Sequence, residues 1–215
     1  MLSIVLVAAA VGSMQIPPVP GLCTEPALEN VGQPGCYMAA EITIPAAPAQ
    51  IYWSAYTFPA AEAAAAAVKG HMWSVVTRSH GLYWAHILGR QPMALRTGKR
   101  MAMVGPMVLA PGKPIRARFI EANFPPGMRT PVHSHPGPEG FYVLDGIQCM
   151  ETPSIKRRAT AGQTMIVPAR TPHFQSTPQG RRNVAVLFYP PDEPWMRMEM
   201  GWQPTSFCNP PPKGN

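Results

Sequence analysis

The sequence predicts an all-β protein: a two-sheet barrel of the jelly-roll type with extra N-terminal strands and one short helix. Three observations lead there. Turn-forming residues are abundant, with 28 prolines and 18 glycines in 215 residues, which suits many short strands better than long helices. Between these residues lie about a dozen short runs rich in β-branched and aromatic residues with partial alternation, the count that a double-sheet barrel needs. Only one stretch reads as helix, and the length suits a single good-sized core.

In chain order, the residues up to about 35 are rich in proline, glycine and asparagine and read as an irregular lead-in. Strands are expected over 36–44 and 51–58, separated by a proline- and alanine-rich loop. The alanine tract over 60–69 is the helix, with Pro59 near its first turn and Gly70 just past its end. It is short and is expected to pack on the outside of the sheet. Strands over 72–77 and 82–88 flank the turn Ser79-His80-Gly81 as a hairpin. Further strands are expected over 101–109, 115–123, 132–135, 140–144, 147–151, 164–167, 173–176 and 183–189. This divides the chain into a leader at 1–13, a lead-in at 14–35, N-terminal strands and helix added to the barrel at 36–112, a core at 113–190 and a proline-rich, surface-draped or disordered tail at 191–215.

The chemistry concentrates between Gly127 and Gly146. In an extended strand alternate side chains share a face, so His133 and His135 lie on one side about 6.6 Å apart along the strand. The turn Pro136-Gly137-Pro138 then returns the chain and brings Glu139 beside them. A second segment, from Gly162 through Pro168 and Arg170, delivers His173 at the start of another strand. Three histidines and one glutamate placed by strand geometry point to a metal site. By alternation Phe141 and Val143 share the site's face and Tyr142 points away. His71 and His80 are expected to be solvent-exposed, while His86 on its strand is open to either face.

These two segments resemble the paired motifs of the cupin superfamily. The first, G-x5-H-x-H-x3-E-x6-G, matches at every defined position; the second, G-x5-P-x-G-x2-H-x3-N, departs at Arg170 and Thr177, where the family usually has glycine and asparagine. The resemblance covers roughly residues 120–190 and implies one divalent ion held by His133, His135, Glu139 and His173, with Fe, Mn, Ni, Cu and Zn not distinguished. A non-glycine residue at positive φ costs about 1 kcal/mol or more, so Arg170 is the position where the local turn is in question. No second H-x-H motif occurs upstream, so a second site of this kind is not expected. A homodimer is implied by the resemblance alone.

Two functional readings follow. One is an exported metal-dependent enzyme acting on a small molecule, oxygenase-like, with isomerase or lyase chemistry as variants. The other is a non-enzymatic cupin that binds a small ligand such as a sugar, its metal being structural or fixing the ligand. Arg170, Glu151 and Tyr142 are the catalytic candidates, and Phe141, Val143 and Arg170 the candidate substrate contacts. The alternating Met196, Met198 and Met200 suit soft copper ligation, with packing against the barrel as the plainer account.

The net charge of +7 is scattered. Its clusters, Lys156-Arg157-Arg158 and Arg181-Arg182, read as loop tips without interleaved aromatics, which argues against a nucleic-acid face and leaves an anionic substrate or surface compatible with the charge. The N-terminal apolar run is too short to span a bilayer and resembles a secretory signal peptide, although it lacks a basic residue before the apolar core; the alternative is an N-terminal strand of a cytosolic protein. In a secreted or periplasmic setting Cys23, Cys36, Cys149 and Cys208 make two disulfides by one of three connectivities, unless Cys149 is a buried free thiol.

Overall fold

The computed structural model describes residues 19–208, so the leader read at 1–13 lies outside the described residues. The lead-in holds one 3-10 turn, Ala27–Glu29, and is pinned by a Cys23–Cys36 disulfide. The strands and helix that follow are β1 (Gly35–Ile44), β2 (Gln50–Phe58), α1 (Ala61–Val68), β3 (Ser74–Ser79), β4 (Leu82–Gly89), β5 (Lys99–Val108), β6 (Ile115–Phe124), β7 (His133–Ser134), β8 (Glu139–Glu151), β9 (Lys156–Thr160), β10 (Thr164–Val167), β11 (Phe174–Ser176), β12 (Arg181–Tyr189) and β13 (Arg197–Met198). No described helix is long and apolar enough to cross a membrane.

Strand β8 is the spine of the barrel. Its first half pairs with β10 and β12, and its second half with β9 and β11. The main sheet runs β1-β6-β12-β8-β10, all antiparallel. Alternation expected two strands over 140–144 and 147–151; they form one continuous strand. Gly146 makes this possible by taking φ of 76° at a point where a Cβ would collide with the Gly180 carbonyl. The chain bends there, and the pairing register with β12 slips between Arg182 and Asn183.

The N-terminal strands split into two roles. β1 extends the barrel sheet as its edge, paired with β6. β2 to β5 instead form a separate four-stranded sheet, in the order β3-β4-β2-β5, stacked on the barrel's outer face. The reason is that β2 and β4 are apolar on both sides. Trp53, Ala55 and Trp84 pack against Phe119, Tyr142, Val186 and Phe188 of the barrel, while Tyr56, Phe58, Ala85 and Ile87 pack under Ala64 of α1. Large aromatic side chains are buried between the two sheets, where their apolar area is removed from water.

Three expectations are corrected here. His80 is not solvent-exposed: the β3–β4 turn folds onto the barrel, its backbone N–H donates to Glu121 at 3.2 Å, and its ring donates to the Asn183 carbonyl at 3.1 Å. His71 is half-buried. Lys156, Arg157 and Arg158 are not a loop tip but the exposed residues of β9, paired along the second half of β8. In the Arg181-Arg182 pair only Arg182 is exposed, because β12 has already begun and Arg181 faces inward.

The tail is ordered as far as it is described. β13 pairs with β7, and Cys208 is bonded to Cys149. Glu151 accepts from the Thr205 N–H at 2.8 Å, the Thr205 hydroxyl at 2.7 Å and the Phe207 N–H at 3.0 Å. Of the three connectivities the chain adopts Cys23–Cys36 with Cys149–Cys208, which leaves no free cysteine.

Candidate metal centre

Backbone pairing brings the histidines together. His133 and His173 exchange two hydrogen bonds, His133 N–H to the His173 carbonyl at 3.0 Å and His173 N–H to the His133 carbonyl at 2.8 Å. His135 follows one strand alternation later. One ring nitrogen of each of His133, His135 and His173 lies within 4.8 Å of the others, and all three residues are buried. Glu139 stands beside them at the start of β8, its Oε2 at 3.3 Å from His135 Nε2 and 3.5 Å from His173 Nε2.

Each imidazole is oriented by a main-chain oxygen. His133 Nδ1 donates to the Pro131 carbonyl at 2.9 Å, His135 Nδ1 to the Trp195 carbonyl at 2.8 Å and His173 Nδ1 to the Thr171 carbonyl at 2.9 Å. A carbonyl only accepts, so the Nδ1 atoms carry the hydrogens and each neutral ring turns the lone pair of its Nε2 to the centre. His135 Nε2, His173 Nε2 and Glu139 Oε2 are buried without a hydrogen-bond partner. Lone pairs facing one another at 3.3 and 3.5 Å call for a proton or a cation between them. Neighbouring ligands at right angles around an ion held at about 2.1 Å stand about 3 Å apart, so these groups fit a divalent metal.

The electrostatics agree. Burial holds His133 well below the ordinary imidazole range, and the neighbouring His173 and His135 push it further down. Burial also opposes charge on His135, but the Glu139 carboxylate outweighs it and the pKa is raised. Glu139 is held far below the usual carboxylate range, since His135 and His173 overcome its burial.

A cavity of about 220 Å³ opens from the cluster. Apolar groups from β6, β8, β12, the lead-in and the tail make most of its wall, including Ile120, Phe124, Phe141, Leu187, Trp195 and the Cys23–Cys36 disulfide. Trp195 stacks on His135 with centroids 5.6 Å apart, so the tail closes the site. Met196 and Met198 line the cavity beside it, whereas Met200 is exposed.

The other sequence candidates separate. Phe141 is on the wall, and Val143 is buried in the same core without lining the cavity. Tyr142 packs on the opposite face against Trp84. Glu151 is held by the tail, away from the cavity wall. Arg170 adopts the left-handed backbone, φ 56°, so the turn survives the loss of glycine; its N–H donates to the His135 carbonyl at 2.7 Å. Its side chain points outward and pairs with Glu193 at 2.8 Å. Arg181, Asn183 and Gln175 line the cavity and were not anticipated. A signal for them existed: Gln175 is two residues after His173, and Arg181 and Asn183 alternate in register with Ala185 and Leu187.

The molecule is an antiparallel double-sheet barrel of the jelly-roll type, with three inward imidazoles beside a small cavity. Residues 120–179, which carry the four clustered residues, match the family model described as "Cupin domain". No curated protein matches the sequence. Among solved structures, a cupin superfamily protein from Desulfitobacterium hafniense is similar at 14% identity over 46% of this chain and 76% of its own, with a TM-score of 0.33. An RmlC-like cupin from Desulfovibrio desulfuricans is similar at 23% identity, over 33% and 69%, with a TM-score of 0.30. The DMSP lyase DddQ from Ruegeria pomeroyi is similar at 20% identity, over 38% and 42%, with a TM-score of 0.35.

Proposed function

We propose that this protein is an exported, metal-dependent cupin that acts on a small molecule, an oxygenase-like metalloenzyme whose ion is held by His133, His135, Glu139 and His173. The observation that carries the reading is the set of buried, unpartnered Nε2 and Oε2 atoms beside an apolar-walled cavity, with every ring fixed by a backbone carbonyl. A bound divalent ion would supply Lewis-acid polarisation and, if redox-active, electron transfer. The protein's own groups do the rest. The carbonyls of Pro131, Trp195 and Thr171 keep the rings aimed, Glu139 offsets the positive charge, and the apolar wall excludes water and strengthens each polar interaction inside. Export is supported by the two disulfides and by the apolar N-terminal run.

Elemental analysis of protein purified without chelator tests this: about one equivalent of Fe, Mn, Ni, Cu or Zn is expected. A metal-free protein whose melting temperature ignores all five ions would remove the metal claim. Oxygen uptake and product formation across a small-molecule panel then test catalysis; a metal-loaded protein inert to the panel but thermally shifted by one compound would favour the ligand-binding reading.

A further inference from the structure

Arg181 is a charged group on the cavity wall that the metal reading leaves unused. It opens β12, is 4% exposed, and lines the cavity with Gln175 and Asn183. Its guanidinium lies over the Phe124 ring at 4.2 Å. Nη1 donates to Gln148 Oε1 at 3.0 Å and to Asn183 Oδ1, and Nη2 donates to Gln175 Oε1 at 2.7 Å. Every one of these acceptors is a neutral amide. Among the described residues Arg181 forms no ion pair, and the carboxylate that acts on it from a distance, Glu139, already faces His135 and His173. Two donors remain without an acceptor, Arg181 Nε and Asn183 Nδ2, both buried.

A buried cation held only by neutral oxygens is costly, and leaving N–H donors unpaired beside it adds to that cost. Both are relieved by one anion with two acceptor oxygens. We propose that the cavity takes a small carboxylate, its oxygens on Arg181 Nε and Asn183 Nδ2, its short carbon chain along Phe124 and Phe141 and its far end toward the histidines. This names the substrate class of the proposed site and rests on that reading for the cavity being where the reaction occurs. The planar fork of arginine suits a carboxylate, and one cation in an apolar cavity of about 220 Å³ matches a monoanion better than a phosphate dianion. Gln175 sits two residues from His173 on one strand face, so anion and metal ligands share a wall.

The test is calorimetric titration of the full chain with acetate, propanoate and butanoate against propanamide and propan-1-ol, in chelator-stripped and zinc-loaded protein. Propanoate is expected to bind at least tenfold more tightly than propanamide in both forms, and Arg181→Met to lose at least tenfold while Arg181→Lys keeps part of the preference. Equal binding of propanoate and propanamide overturns the proposal, as does an Arg181→Met protein that binds propanoate like the wild type. Should Arg181→Met fail to fold, Asn183→Leu, which keeps the charge and removes one free donor, is expected to weaken propanoate several-fold; no change there overturns it. His133→Ala separates this proposal from the metal reading. A carboxylate preference that survives loss of metal supports Arg181 whatever the metal result, and one that vanishes with the metal places the anion on the ion and overturns it.

Discussion

At the scale of single residues the centre depends on which nitrogen carries the proton. Because Pro131, Trp195 and Thr171 offer only carbonyls, the three Nδ1–H groups are committed, and the Nε2 atoms have no role except as acceptors or ligands. His173→Ala is therefore expected to weaken metal binding by at least about 100-fold, since loss of an outer partner alone costs 10–100-fold; competitive titration with a fluorescent chelator measures it. Arg170 gives the opposite expectation. Replacing it by glycine relieves a left-handed strain of about 1 kcal/mol and removes an exposed pair with Glu193 worth about 0–1 kcal/mol. Arg170→Gly should change urea-unfolding stability by less than about 1 kcal/mol and leave metal affinity unchanged. Spacing alone made the four clustered residues legible, because strand alternation and one turn determine their face. The basic pair Arg181-Arg182 looks the same by itself whichever member turns inward; only continuing the alternation back from Ala185 and Leu187 through Asn183 assigns Arg181 to the inner face.

At the scale of elements the tail has two separable tasks. Cys149–Cys208 staples its end to β8, while Trp195 acts directly on the centre through its ring and carbonyl. Removing the disulfide as Cys149→Ala/Cys208→Ala should cost about 2–4 kcal/mol of stability, as expected for a cross-link closing a long loop, and leave metal affinity within a few-fold. Trp195→Ala should do the reverse, lowering metal affinity about tenfold by releasing the His135 ring it stacks on, with a smaller loss of stability. Denaturant unfolding and metal titration on both variants separate the two tasks. β13 and the Glu151 contacts were not legible, because a two-residue strand and a carboxylate satisfied by residues more than fifty positions away carry no local signal. The fusion of two expected strands into β8 has a like cause: glycine ordinarily ends a strand, and here it bends one.

For the whole molecule, the aromatic interface between the second sheet and the barrel buries a polar knot made by the second sheet's own residues. His86 accepts from Trp53 Nε1 at 3.2 Å through Nδ1, which leaves Nε2 to donate to the Thr77 hydroxyl at 2.9 Å. It lies 4.8 Å from the Phe119 ring of the barrel and stacks on Trp84 at 5.9 Å. Both ring nitrogens are thus used by a neutral imidazole, and burial pushes its pKa down to about 3 from an ordinary 6.5. The direction of the pH effect follows. The unfolded chain takes up a proton at His86 near pH 6.5 and the folded chain only near 3, so stability is whole above 6.5 and falls progressively as pH drops from 6.5 toward 3. A gap of about 3.5 units is worth up to about 5 kcal/mol, a large share of the 5–15 kcal/mol that typical domains possess. Replacing His86 by glutamine should lower stability at pH 7.5 yet flatten its decline to pH 4 relative to wild type. Urea midpoints of both proteins across that range, with metal removed from both, isolate the His86 contribution. Parallel pH profiles for the two would mean that His86 is not held neutral in the interface.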